Sequence, residues 1–180
     1  MADAEPGADR WPLTADAGTA SFDDFYAATT RRLVRYTYAL TGNISDAQDI
    51  AQEAFARAWQ RWDAVRGLDS PEAWVRRVAT NLATSRFRRD RTARAAAPHL
   101  IAADVPEISP DTVALVAALR TLPERHRVVV VLHYLADLPV GQIAAELHCP
   151  IGSVKAWLYR GREALAIALR DGIAPEVTDA

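Results

Sequence analysis

Apolar residues return every three or four positions from Phe22 to Phe87, lapse between residues 90 and 111, and return from Val113 to Leu169. That spacing is the period of a helix with one buried face. The gap holds Pro98, Pro106 and Pro110 among small residues, which is the composition of a linker. The pattern therefore predicts an all-α chain with two small helical domains joined by a flexible linker. The valine run at 128–131 taken alone suits a strand, but helical spacing on both sides places it in a helix.

Local signals divide the two halves further. Residues 1–20 mix Pro, Gly, Ala and Asp without a period and read as a flexible acidic tail. Ser21 opens the first helix, with Asp24 in the capping-box position, and Gly42 closes it. Ser45, with Gln48 three residues on, is the expected start of the second helix, which buries Ala47, Ile50, Ala51, Ala54, Phe55, Ala58 and Trp62. Residues 63–69 are expected to form a loop. Ser70-Pro71-Glu72 sets a capping residue, a first-turn proline and an acid in order, so a third helix begins there. Trp74, Val75, Val78 and Leu82 form its expected apolar stripe, and Arg76, Arg77, Thr80, Asn81 and Thr84 its polar side.

The first domain thus covers 21–90 and the linker 91–110. A second domain covers 111–172, and residues 173–180 form a flexible tail. In the second domain a helix over 111–120 precedes Thr121-Leu122-Pro123-Glu124, read as a capping box that opens the valine helix. Asp137-Leu138-Pro139 breaks the chain. A short helix over 140–147, a turn at 148–151 and a last helix over 152–170 then make a helix-turn-helix. Ile143, Ala144 and Leu147 are expected to pack on Val154, Leu158 and Leu165.

Half of the 180 residues are apolar and 24% are charged, enough for a packed core. No apolar run approaches the roughly 18–20 residues that cross a bilayer, so no membrane insertion is expected. The acidic start lacks a basic segment followed by an apolar one, so no secretory signal is expected. The single cysteine, Cys149, excludes an intrachain disulfide and a Cys-based zinc cluster. A cytoplasmic protein fits best.

The net charge of −2 argues against a nucleic-acid binder until it is divided along the chain. Residues 1–28 carry −5, 29–66 carry +2, 67–95 carry +4, 96–118 carry −3, 119–170 carry +3 and 171–180 carry −3. Two basic blocks thus stand apart between acidic ones, and placement bears on partners more than the total does. Of the cations only Lys155 is lysine. Arginine forks suit phosphates and base edges, although arginine richness equally follows from GC-rich coding.

Three surfaces follow. The first basic block places Arg76, Arg77, Thr80, Asn81, Arg86, Arg88 and Arg89 on one helix with Trp74 and Phe87. Cations mixed with amides and aromatics suit single-stranded nucleic acid; a solvated charged helix is the plainer alternative. Trp74 itself reads as core. The last helix shows Ser153, Lys155, Ala156, Tyr159, Arg160 and Arg162, a set that fits a major groove or, more plainly, a solvated basic face. The second helix presents Asp46, Asp49, Gln52, Glu53 and Arg57, either as ordinary surface or as a partner-binding face. No catalytic constellation is found: there is no glycine-rich phosphate loop, and His148 beside Cys149 does not set a base against a thiol. His126 and His133 lack a third ligand, so neither a metal nor a cofactor is expected.

Four segments in this order carry a resemblance: DAQDIAQEAF at 46–55, WVRRVATNLATSRFRR at 74–89, LRTLPER at 119–125 and IAAELHCPIGSVK at 143–155. Together they resemble bacterial sigma factors of the extracytoplasmic-function (ECF) type, which retain regions 2 and 4, over about residues 22–170. The resemblance implies a sigma factor that binds core RNA polymerase through its β′ and β subunits, recognises the −10 and −35 promoter elements and promotes DNA melting for initiation. It implies polymerase contact by Asp46, Asp49, Gln52, Glu53 and Arg57. It implies −10 contact by the 63–70 loop and by Arg76, Arg77, Thr80 and Asn81, with Arg86, Arg88 and Arg89 beyond them. Contact with −35 DNA falls to Ser153, Lys155, Trp157, Tyr159, Arg160 and Arg162. An anti-sigma factor is the implied regulatory partner. The sequence departs from the pattern where His148 replaces the usual turn glycine, where Pro150 and Ile151 replace polar turn residues, and where Trp157 replaces a frequent arginine. Two other readings stay open on the residues alone: a free-standing helix-turn-helix regulator, which leaves 46–89 unexplained, and an all-helical adaptor with no affinity for DNA.

Overall fold

Capping chemistry sets the first helix. In the computed structural model α1 spans Phe22–Thr41, and the Ser21 hydroxyl accepts from the Asp24 amide while the Asp24 carboxylate accepts from the Ser21 amide. Such reciprocal bonds satisfy two of the amides that every helix start leaves unpaired. Gly42 ends α1 in the left-handed region at φ 69°. The structure describes residues 21–92 and 110–173, with side chains over 21–87 and 110–170. The expected tails at 1–20 and 174–180, the linker stretch 93–109, and the side chains of Arg88 and Arg89 lie outside the described residues.

The second helix, α2 (Ile44–Gln60), begins earlier than predicted, with its cap two residues ahead of Ser45. Asn43 is the cap and accepts from the Asp46 amide at 3.2 Å. Asparagine is as good a cap as serine, and here it serves the Asp46 amide instead of the Gln48 amide that Ser45 was expected to serve. The expected 63–69 loop is partly helical: α3 (Trp62–Val65) adds one turn and buries Val65. The next helix, α4 (Pro71–Thr92), starts as the sequence predicts, with the Ser70 hydroxyl accepting from the Ala73 amide at 3.1 Å.

The second half comprises α5 (Pro110–Thr121), α6 (Glu124–Tyr134), α7 (Val140–Glu146) and α8 (Ile151–Ile173). The capping box expected at Thr121 does not form. Its hydroxyl turns back to the Ala118 carbonyl at 2.7 Å, and Pro123 holds the cap position of α6 without a side-chain bond. The valine run is helical, and all of Val128, Val129, Val130 and Val131 are buried. Asp137 and His148 adopt positive φ of 54° and 49° at the two breaks flanking α7.

One apolar cluster runs through both halves. In the first half α1 packs on α2 and α4, and in the second α8 packs on α5, α6 and α7. The halves meet where α1 touches α5 and α6 and where α4 touches α6. Two glycines allow close approaches. A Cβ on Gly42 would stand 2.1 Å from Arg120 Cδ, so the left-handed cap also makes room for a side chain of the other half. A Cβ on Gly161 would stand 2.7 Å from Val130 Cγ2 and 3.3 Å from the His126 carbonyl oxygen, so α8 lies hard against α6.

Gly161→Val is therefore expected to destabilise the chain by about 1–3 kcal/mol through overpacking. Gly152→Ala, in a place where an added Cβ meets nothing within 4 Å, is expected to be neutral or to stabilise by up to about 1 kcal/mol. Urea unfolding of the two variants checks the pair; equal midpoints would contradict the close crossing.

Candidate nucleic-acid interface

The geometry of α4 is set by an i, i+4 line of polar residues turned inward. Glu72, Arg76 and Thr80 are all buried, because residues four apart share a helix face. The expected apolar stripe is rotated accordingly. Val75, Ala79 and Ala83 are buried, whereas Trp74, Val78 and Leu82 are only partly covered. Small alanines let α4 approach its neighbours closely, and the larger side chains take the flanks.

Each inward polar group has a partner. Arg32 of α1 donates to Glu72 at 2.8 Å. Burial raises the Glu72 carboxyl above its ordinary range, opposed by the charges of Arg32 and Arg76. The Thr80 hydroxyl donates to the Arg76 carbonyl at 2.8 Å and lies 2.7 Å from the Tyr36 phenol oxygen, so the phenol donates to it. Burial pushes the Tyr36 phenol far up, which keeps that proton in place. Arg76 donates to Glu146 of α7 at 2.7 Å, with the two side chains 2% and 13% exposed. Next to it, the exposed Arg77 lies 2.8 Å from His148 Nε2. Asn81 is exposed to solvent.

Of the −10 set, then, the structure brings Arg76, Arg77 and Thr80 against other parts of the chain and leaves Asn81 open. Arg86 points elsewhere. It pairs with Asp46 at 2.5 Å and stands 3.6 Å from Asp49, both on α2. Those residues continue into a shallow recess of about 250 Å³ lined by Asp49, Ile50, Glu53, Leu82 and Arg86. Beside it Arg57 donates to Glu53 at 2.8 Å, and Gln52 is exposed. Such exposed pairs contribute little to stability, at most about 1 kcal/mol, so this acidic face is available to a partner at small cost.

The helix-turn-helix packs as its apolar pattern predicts. Ile143, Ala144, Val154 and Leu158 are buried, with Leu147 and Leu165 partly so. The Cys149 amide donates to the Ala144 carbonyl at 3.0 Å and closes the turn. Lys155, Tyr159, Arg160 and Arg162 are exposed along α8, and Ser153 is half-buried. Trp157 is half-buried too, with the Arg125 guanidinium 5.2 Å from its ring centre. A stacked cation fixes that indole against α6. Tyr159 is drawn toward Glu163, whose carboxylate accepts from the phenol and raises it.

Three residues of consequence escape sequence reasoning: Glu146, His148 as a partner of α4, and Arg127. Arg127 donates to the Leu40 carbonyl at 2.8 Å and lies over the Phe87 ring at 4.9 Å. Their partners are distant in sequence, and no local period marks such pairs.

Comparison with known proteins bears on what these faces do. The family model described as Sigma-70 region 2 matches residues 25–93, and that described as Sigma-70, region 4 matches residues 112–165. The chain is 32% identical to the ECF RNA polymerase sigma factor SigW of Bacillus subtilis, covering 84% of this chain and 90% of that protein. It is 31% identical to the ECF RNA polymerase sigma factor SigL of Mycobacterium tuberculosis, covering 77% and 83%. In fold it is similar to the sigma factor RpoE of Bartonella quintana, solved in complex with the anti-sigma factor NepR. That match has a TM-score of 0.69 at 21% identity, over 83% of this chain and 96% of that one.

Tyr36→Phe removes one buried donor while keeping the ring. The expected cost is about 1 kcal/mol, read as a lower urea midpoint with an unchanged slope; no change would mean that the Tyr36–Thr80 bond adds nothing.

Proposed function

We propose, since this chain belongs to the ECF sigma factors, a family that acts in transcription initiation, that it delivers RNA polymerase to promoters by holding two DNA elements at once. Residues 21–90 act as region 2, 111–172 as region 4, and 91–110 as the tether between them. The acidic face of α2, with Asp46, Asp49, Gln52, Glu53 and Arg57, docks on the β′ subunit of core polymerase, and the chain also meets the β subunit. Region 2 holds the −10 element through the 63–70 loop and α4. Region 4 sets α8 into the −35 major groove, where Lys155, Arg160 and Arg162 meet phosphates or base edges.

The observation that supports this reading best is the presence of both faces in one chain. A helix-turn-helix exposes Lys155, Tyr159, Arg160 and Arg162, and a separate helix exposes Arg77 and Asn81 beside the buried Arg76. A free-standing regulator needs only the first of these. The acidic recess beside Asp49 supplies a third surface, which shares the sign of DNA and so repels it, and which suits a protein partner.

The chain acts by binding, without covalent chemistry. Bases released from a duplex gain contacts that paired bases lack, so differential affinity drives opening. Stacking on protein gives about 1–3 kcal/mol per base, against about 1.4 kcal/mol per duplex step opened. Opening therefore needs several contacts together, with polymerase supplying the remainder. Work in the cytoplasm accords with the described residues, in which no helix is long and apolar enough to cross a membrane. An anti-sigma factor is the regulatory partner, in keeping with the complex in which the Bartonella quintana protein was solved.

Arg77 and Asn81 are exposed, so Arg77→Ala with Asn81→Ala is expected to leave the fold intact. It should abolish permanganate-detected promoter melting while retaining core binding; normal melting would remove α4 from the −10 contact. Asp49→Arg is expected to weaken association with core at least tenfold, about 1.4 kcal/mol, in a pull-down titration. An unaltered affinity would place the polymerase contact elsewhere.

A further inference from the structure

We propose that the contact between the two halves is an autoinhibitory latch, in which Glu146 and His148 at the α7–α8 corner occupy the α4 cations that a DNA strand would use. The inference rests on the reading of α4 as a nucleic-acid face.

The argument begins with burial. Arg76 is 2% exposed, and a guanidinium stays charged at any working pH. A dry cation needs an anion, or its lost hydration goes unreplaced. For Arg76 that anion is Glu146, 2.7 Å away and seventy residues on, in the other half of the chain. Glu72, four residues back on α4, also lies within reach of its charge, but the hydrogen bond to Glu146 lasts only while the halves are closed.

The neighbouring contact has the same character. Arg77 and His148 Nε2 are 2.8 Å apart. Arginine has donors only, so the imidazole accepts at Nε2 and carries its hydrogen on Nδ1. His148 makes this contact from a left-handed backbone at φ 49°, a region costly for any residue with a Cβ. The turn itself asks for the left-handed backbone; what a latch adds is a side chain there whose ring is bonded to the other half, and His148 supplies it.

A second point of attachment supports the first. Arg127 caps the end of α1 through the Leu40 carbonyl and covers Phe87, and Arg120 lies in the space left by Gly42. The halves are thus seated by shape at the α1 end and by charge at the α4 end.

A carboxylate and a phosphate offer a guanidinium the same charge-assisted acceptors. Arg76 and Arg77 cannot serve Glu146 and His148 and a strand together, so closure and strand binding compete. A buried ion pair gains in attraction roughly what it loses in hydration. The pair thus selects one closed geometry without locking it, and a scaffold that holds the halves apart releases both arginines. The free chain binds DNA with its intrinsic affinity multiplied by the fraction open.

The test uses the full-length chain with a fluorescein-labelled, random-sequence, single-stranded 15-mer. Affinity is read by anisotropy and compactness by small-angle X-ray scattering. Glu146→Gln removes the anion and keeps the shape; His148→Gly relieves the backbone and changes no acidic residue. With a closed fraction near nine tenths, Glu146→Gln is expected to bind about tenfold tighter, with a larger radius of gyration. His148→Gly is expected to shift both readings in the same direction by a smaller amount. Wild-type affinity in both variants would overturn the proposal, whatever their radius. Tighter binding by Glu146→Gln alone, at unchanged radius, would be a simple charge effect and would overturn it too. Arg76→Ala and Arg77→Ala added to Glu146→Gln separate the two inferences. If that triple variant still binds as tightly as Glu146→Gln, the strand is held elsewhere and the α4 reading fails, whether or not the chain opens.

Discussion

A guanidinium that cannot shed its proton must take an anion with it wherever it goes dry. Arg76 sits at the centre of α4 under that constraint, and the chain meets it from the opposite half through Glu146. Much of the architecture around α4 follows. Tyr36 and Thr80 are held beneath it by a hydrogen bond, and Glu72 and Arg32 form the next pair along the same line. The polar line replaces what a longer apolar seam would otherwise provide. It makes the position of α7 against α4 specific, because a charge pair tolerates misplacement less well than an oily contact does.

Shape and charge divide the work between the two ends of that interface. At the α1 end, Gly42, Arg120, Arg127 and Phe87 fit together through close approach and stacking. At the α4 end the contacts are ionic. Small helical units bury a modest share of their surface when alone, and the shared apolar cluster lets each half complete the other. On the proposal that the halves part in use, part of this contact has to be given up. The ionic contacts at the α4 end are suited to that, since water and phosphates replace their partners at little net cost.

Much of the fold was legible in the sequence because it rests on local chemistry. Ser21 with Asp24, Gly42, and Ser70 with Pro71 act within a few residues, and each does what its type predicts. Errors arose where two local signals competed. Asn43 displaced Ser45 because it sits two residues earlier with the same reach. Thr121 bonded backward into α5, leaving Pro123 to end the turn. The candidate surfaces were only partly legible. The exposed row on α8 follows from helical period alone. Arg76 was expected outside for the same reason, since a charged residue on a helix is usually solvated. What turns it inward is Glu146, and no window of the sequence contains both. His148 was recognised as an unusual turn residue, but its bond to Arg77 depends on how the halves meet.

The central claim is that two helical units in one chain give RNA polymerase start sites it lacks alone. In vitro transcription with purified core enzyme and a promoter library, read by start-site sequencing, measures this directly. The account predicts a defined set of starts that core alone does not use, sharing one upstream motif at the −35 position and another at −10. A folded, inhibitor-free chain that adds no start sites to those of core alone would contradict it.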